Sequence, residues 1–150
     1  MLPDFIESNN LKAKIIFCAK PVATAQQAAG FLKVPLECIA KTILFILDSE
    51  KPVLCILSGS SRASTIKLCS LLNSSKCRIA KPEEVLEITG YEIGALPPVS
   101  VYGVPTILDS KLAGMREIIS GGGSVQHLLR ISPKEVLEFA FECKTADICE

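Results

Sequence analysis

Cys38-Ile39-Ala40-Lys41-Thr42-Ile43-Leu44-Phe45-Ile46-Leu47, then Asp48-Ser49-Glu50-Lys51, then Pro52-Val53-Leu54-Cys55-Ile56-Leu57, is the stretch whose reading decides the fold. Two apolar runs, rich in residues that favour strands, flank a polar four-residue turn, and that pattern predicts a β-hairpin. The runs are nearly continuous rather than alternating, so both faces of the hairpin are expected to be covered. Neither run approaches the roughly 20 apolar residues of a membrane-spanning helix, so no membrane partner is expected.

Ahead of the hairpin, residues 2–9 predict a short helix. Ala13 to Ala19 reads as a strand that Pro21 stops. Thr24 can cap a helix through Ala25-Gln26-Gln27-Ala28-Ala29, ending near Lys33 before Pro35. After the hairpin, Ser58-Gly59-Ser60-Ser61 is a loop, and Ser64 to Leu72 has helical apolar spacing. Lys76 to Ala80 is a short strand. Pro82-Glu83-Glu84 opens a helix with carboxylates at the positive end of its dipole, and Gly90 ends it. Residues 90–105 are loop-like, Thr106 to Leu108 a strand, Asp109 to Gly114 a turn and Arg116 to Ile119 a strand. Gly121-Gly122-Gly123 breaks the chain, and Val125 to Ile131 is a last strand. Ser132-Pro133-Lys134-Glu135 is a capping box before a helix whose apolar face is Val136, Leu137, Ala140 and Phe141. Nothing repeats and no linker divides the chain. The expectation is one domain over residues 1–150, of α/β (α+β) class, with a mixed sheet flanked by helices.

The 150 residues include 16 Lys+Arg, 16 Asp+Glu and one His, for a formal charge of zero. The charge is unevenly spread: residues 51–82 hold Lys51, Arg62, Lys67, Lys76, Arg78 and Lys81 and no acid, whereas 83–150 are acidic. Zero net charge excludes a histone-like, wholly electrostatic nucleic-acid binder but leaves room for a local patch. The seven cysteines show no Cys-x-x-Cys spacing and mostly sit in apolar runs, which reads as small buried hydrophobes in a reducing cytoplasm. Cys143 and Cys149, in the tail, could pair or react. One His leaves few partners for zinc, so no metal is expected. The N-terminus shows no basic segment ahead of an apolar one, hence no signal peptide.

The usual catalytic motifs are missing: no Gly-x-Ser-x-Gly elbow, no phosphate-binding loop, no His-Glu-x-x-His. Three features remain. Lys41 introduces a charge into an apolar strand, either as a lysine snorkelling from the strand's start or as a contact to phosphate or carboxylate. Gly90-Tyr91-Glu92-Ile93-Gly94-Ala95-Leu96-Pro97-Pro98 is either an ordinary connection or a stiffened loop that binds with its backbone. Ser120-Gly121-Gly122-Gly123-Ser124 is a flexible hairpin tip or a place where a ligand or another backbone comes close. His127 lies in the following strand, as a core or surface residue or as part of a site.

In this order these segments resemble the YbaK / prolyl-tRNA-synthetase-associated domain family of aminoacyl-tRNA editing deacylases. The resemblance runs from about Thr24 to Leu137. It rests on Thr24 to Ala29, Ile39-Ala40-Lys41-Thr42-Ile43-Leu44-Phe45, Leu57-Ser58-Gly59 with Lys67-Leu68, Ala80 to Val85, Gly94 to Pro98, Leu108-Asp109-Ser110 and Ile119 to Gly123. Ser60 and Val99 depart from the family's pattern, which bears on substrate preference.

The resemblance implies that family's fold, with a partly barrel-like sheet. It also implies cofactor-free hydrolysis of the ester joining a wrong, small amino acid such as Cys or Ala to the 3′ end of a tRNA, typically one for proline. The terminal ribose hydroxyl would assist. Lys41, Gly94 and Asp109 would be catalytic. Thr42, Gly59, Ala95, Leu96, Pro97, Pro98, Ser120, Gly121, Gly122 and His127 would bind substrate. Arg62, Lys67, Lys76, Arg78 and Lys81 would hold the tRNA backbone with a modest salt dependence. Partners would be the acceptor end of aminoacyl-tRNA and a prolyl-tRNA synthetase, in the cytoplasm. The rival reading is a non-catalytic module that captures a tRNA end or a synthetase.

Overall fold

The computed structural model describes all 150 residues. In chain order the elements are α1 (Leu2–Ser8), β1 (Lys14–Phe17), α2 (Ala25–Leu32), a 3-10 turn (Leu36–Cys38), β2 (Ala40–Leu47), β3 (Pro52–Ser58), α3 (Thr65–Leu72), β4 (Cys77–Ile79), α4 (Pro82–Thr89), β5 (Thr106–Asp109), α5 (Ser110–Ala113), β6 (Ile118–Gly121), β7 (His127–Ile131), α6 (Pro133–Phe139) and β8 (Lys144–Ala146). They form a mixed α/β domain of two sheets flanked by helices, one in the order β1-β7-β6 and one in the order β4-β2-β3-β5-β8. The sheets meet at a single parallel bridge, Ile39 to Ile119, and do not close into a barrel.

The β2–β3 hairpin is central to the larger sheet, paired from Ala40–Ser58 to Ile46–Pro52. Alternation sends Ala40, Leu44 and Ile46 into one core, with Leu54, Ile56 and Leu108. It sends Phe45 into a second, with Val53, Cys55, Leu57, Leu68 and Ile107. The continuous apolar runs thus reflect burial on both faces. A third core, made of Cys18, Val22, Ala28, Ile39, Ile119 and Leu128, seals α2 against the smaller sheet.

Local chemistry sets the helix ends. Thr24 Oγ1 accepts the Gln27 amide at 3.1 Å, the Gln27 side chain accepts the Thr24 amide at 3.2 Å, and Lys33 ends α2 in the left-handed region. Ser64 caps α3. Gly90 ends α4 with φ 79.

Several sequence expectations shift. Asp109 to Gly114 holds a short helix rather than a turn, because the Asp109 side chain accepts the Lys111 amide at 3.2 Å and caps it. The third-last strand lies at 118–121, not 116–119, and the next begins at His127 rather than Val125, whose carbonyl instead takes the Val22 amide. Ser132 caps α6, but the Glu135 carboxylate accepts the Lys12 amide at 2.8 Å, so the capping box is half made. Its apolar face stops at Ala140, leaving Phe141 exposed. The tail adds an unanticipated strand, β8, parallel to β5. Lys144-Thr145-Ala146 shows no apolar alternation, since an edge strand can be held by its backbone. The seven cysteines are free. Cys143 packs against the first core and Cys149 in the second, so the sheet separates them.

Where β2 turns into β3, the Asp48 carboxylate accepts bonds from the Ser75 hydroxyl (2.6 Å) and amide (2.8 Å). These hold its pKa down at about 2, with the Ser75 hydroxyl the first cause. A carboxylate held low in the folded state contributes stability above its unfolded pKa, near 4, and loses it as the pH falls toward 2. Urea midpoints of the wild type are therefore expected to drop more steeply between pH 5 and pH 2.5 than those of Asp48→Asn; parallel profiles would contradict the assignment.

Candidate active site

β4 pairs with β2 only from Phe45 to Leu47. Toward its start, the edge of β2 away from β3 is met only at the Ile39–Ile119 bridge. A cleft of about 80 Å³ opens there. Ala40, Lys41 and Thr42 of β2 form one wall and Ser120 and Gly121 of β6 another, with Leu128 of β7 behind. Gly94 and Leu96 come from the long loop, and Val22, Ala23, Thr24, Ala25 and Ala28 from α2 and its approach.

Backbone packing fixes this geometry. A Cβ on Gly121 would lie 2.5 Å from the Leu96 carbonyl oxygen, so only glycine lets the loop backbone sit on β6. The Gly123 amide then donates to the Ala95 carbonyl at 2.9 Å. Gly94 has φ +86, and a Cβ there would meet the Ala23 carbonyl at 3.0 Å, which ties the loop to the approach of α2. Of the two readings of the glycine run, close approach of another backbone is the one found. Gly122 likewise packs on the backbone of His127 and Leu128.

Lys41 is the only titratable residue in the lining. Burial pulls its pKa below the ordinary lysine value; Cys149 opposes this and the charge of Arg62 adds to it. Thr42 Oγ1 is buried and has no hydrogen-bond partner. Such a hydroxyl is costly to leave empty-handed, and in a cleft it is a ready contact for a polar substrate atom. Ala25, in the first turn of α2, contributes an amide that the helix itself leaves unbonded. The lining residues thus include one lysine and three hydroxyls, of which Thr24 and Ser120 are already bonded and Thr42 is not, and no carboxylate or imidazole.

The cleft brings together Lys41, Thr42, Gly94, Leu96, Ser120 and Gly121 of the expected residues. Ala95, Pro97 and Pro98 are buried beside it in the same loop. Gly59 packs behind, against Ala25 and Ile39. Asp109 lies elsewhere: its buried carboxylate accepts the amides of Lys111 and Ile148, pinning α5 and the tail. His127 and Gly122 border a different cavity, with Tyr91 and Leu2, and the His127 ring bonds Ser124 at 2.6 Å and meets Phe17 edge-on. Of the basic run, Lys67 pairs with Asp147 at 2.8 Å and Arg78 with Glu84 at 2.7 and 3.0 Å; Arg62, Lys76 and Lys81 are exposed. Sequence reasoning missed Val22, Ala23, Ala25, Ala28, Ile39, Ala40 and Leu128. Only the Thr24 cap signalled that α2 starts at the cleft.

The profile of the aminoacyl-tRNA editing domain matches residues 19–139. The chain is 32% identical over 129 residues to the uncharacterised protein YwhH of Bacillus subtilis, covering 85% of this chain and 82% of that one. It is 33% identical over 111 residues to a proline–tRNA ligase of Nitratidesulfovibrio vulgaris, covering 73% of this chain but only 19% of the ligase. In three dimensions it resembles the crystal structure of a candidate trans-editing enzyme for prolyl-tRNA synthetase, with a TM-score of 0.89, 30% identity, and 99% and 94% of the two chains covered.

Two substitutions separate the roles of these walls. Gly121→Ala overpacks β6 against the loop and is expected to cost about 1–3 kcal/mol of stability in denaturant titrations. Thr42→Val removes the orphaned hydroxyl without changing shape, so stability should hold or rise. Its activity should fall about 2- to 13-fold, the worth of one hydrogen bond to substrate; unchanged kinetics would leave Thr42 without a binding role.

Proposed function

The chain belongs to the aminoacyl-tRNA editing domain family, and on that premise we propose that it is a hydrolase that deacylates mischarged tRNA. Its substrate would be a tRNA for proline bearing Cys, Ala or another small amino acid, cut at the ester of the 3′ end. The observation that carries this reading is the cleft itself: about 80 Å³, walled by alanines, glycines, a few hydroxyls and four larger aliphatic residues, with Lys41 its only titratable residue. At about 30 Å³ per water, that is room for roughly two or three waters or a side chain of like size. A synthetase pocket discriminates poorly against a smaller amino acid, because a methylene is worth only about 1–3 kcal/mol. A second site that admits the small residue and excludes the larger one corrects the error.

In the proposed reaction a water adds to the ester carbonyl carbon. The tetrahedral oxyanion is stabilised by backbone N–H groups such as that of Ala25. The C–O bond to the ribose then breaks and the ribose oxygen takes up a proton. The adjacent ribose hydroxyl supplies the proton relay that the lining does not. Lys41 holds the terminal phosphate or ribose, Thr42 Oγ1 bonds a polar atom of the aminoacyl group, and the Gly94–Leu96 backbone orients the ester. The proline–tRNA ligase relatives, a fifth of whose length this chain spans, support tRNA for proline as the nucleic acid. They also make a synthetase a partner to test, in the cytoplasm where charging occurs. No helix of the chain is long and apolar enough to cross a membrane.

The absence of a carboxylate or imidazole from the lining favours one rival, a non-catalytic module that captures a tRNA end. Turnover separates the two. Wild-type protein is expected to deacylate Ala- or Cys-charged tRNA for proline well above the buffer rate and to spare the proline-charged form. Lys41→Ala should lose at least tenfold in kcat/KM. Tight binding with no hydrolysis across an Ala, Cys and Ser panel would decide for the rival.

A further inference from the structure

Basic residues gather in a second place, away from the run at 51–82. Two of the run at 51–82, Lys67 and Arg78, are held in ion pairs with Asp147 and Glu84. Lys51, Arg62, Lys76 and Lys81 of that run are in no ion pair, and the smaller sheet gathers a further set. Lys12, Lys14, Arg130 and Lys134, far apart in sequence, border one concavity of about 430 Å³ with Glu117 and Glu135. Lys12, Lys14 and Lys134 take part in none of the four ion pairs of the molecule. Arg130 shares Glu117 at 3.1 Å, and both groups are about half exposed. Glu135 is turned to the Lys12 amide.

The register places this patch relative to the cleft. Gly121 and Ile16 flank Leu128, the residue that closes the cleft, and Ile119 and Lys14 flank Arg130. Side chains two apart on a strand share a face. Lys14 and Arg130 therefore lie on the face of Leu128, about 7 Å farther along the strands. Lys12 and Ser132 continue both strands outward, and Lys134 opens α6 beside them. A stacked nucleic-acid strand places a phosphate about every 3.4 Å of its axis, so one whose 3′ end enters the cleft brings phosphates past this stretch.

We infer that the concavity between β1, β7 and the start of α6 is the phosphate-binding surface for the acceptor strand of the tRNA, with Lys12, Lys14, Arg130 and Lys134 as its cations. The inference rests on the reading of the cleft as an editing site. It replaces Arg62, Lys67, Lys76, Arg78 and Lys81 as the backbone contacts. Glu117 then moderates the patch by holding Arg130, which keeps the molecule from gripping every polyanion equally.

Binding of uncharged tRNA for proline, followed by fluorescence anisotropy from 50 to 200 mM KCl, tests this independently of turnover. The double variant Lys14→Glu/Lys134→Glu is expected to bind at least tenfold more weakly at 50 mM. Its log K against log salt slope should be shallower by about 0.7–0.9 for every phosphate that is no longer neutralised. Arg62→Ala/Lys76→Ala/Lys81→Ala should bind within twofold of wild type, and Glu117→Gln should bind severalfold more tightly by freeing Arg130. Wild-type affinity in the double variant, loss of binding confined to the Arg62 triple, or no binding of tRNA by the wild type overturns the inference. If binding follows the patch while no mischarged tRNA is hydrolysed, the patch stands and the hydrolase reading fails.

Discussion

A hairpin that is apolar on both faces cannot face water on either, and the arrangement of this molecule follows from that constraint. Leu44, Leu54 and Ile56 on one side and Phe45, Cys55 and Leu57 on the other are almost wholly buried. Each large side chain removed from water is worth roughly 1.5–3 kcal/mol, so exposing either face would exceed the net stability of a domain this size. The smaller sheet, the long loop and α4 cover the first face. α3 and the C-terminal tail cover the second, which is why Ile148 and Cys149 are buried though they lie at the chain's end. Asp109 serves the same need, its carboxylate holding the Ile148 amide in place.

The cleft is a consequence of how that coverage ends. β4 shields only the last three residues of β2, and β6 touches its approach at one bridge. Between them the strand edge at Ala40 to Thr42 is left open, and mostly small residues, with Val22, Ile39, Leu96 and Leu128, close around it. Only glycine at 121 lets the long loop come near enough to form the far wall. The result is a small space whose polar groups are backbone, the hydroxyls of Thr24, Thr42 and Ser120, and Lys41. Such a space can admit a small group and present backbone amides to it.

Much of the fold was legible because it depends on local chemistry. Thr24, Ser64 and Pro82 open helices, Lys33 and Gly90 sit where two of them end, and the apolar period marks the hairpin. Of the elements that were misread, β8 depends on a partner distant in sequence and α5 on a local cap. β8 exists because β5 has an open edge, and α5 because one Asp109 oxygen caps it while the other holds the Ile148 amide. At the site, Lys41, Thr42, Gly94, Leu96, Ser120 and Gly121 stood out as residues out of keeping with their surroundings or as members of a familiar order. Val22, Ala25, Ala28 and Leu128 did not, since a small apolar residue lining a cleft looks in sequence like any core residue.

The sequence by itself determined the class of fold, the helix caps, the hairpin and the family, because these are written in residue types at short and regular spacings. The tertiary structure alone decided which charges are free and what surrounds Lys41. Lys67 and Arg78 belong to an acid-free run, yet each finds a carboxylate, one of them 80 residues away. Lys12, Lys14, Arg130 and Lys134 are scattered in sequence, yet strand register gathers them. Charges act through space over a few ångströms, and only the folded chain sets that distance.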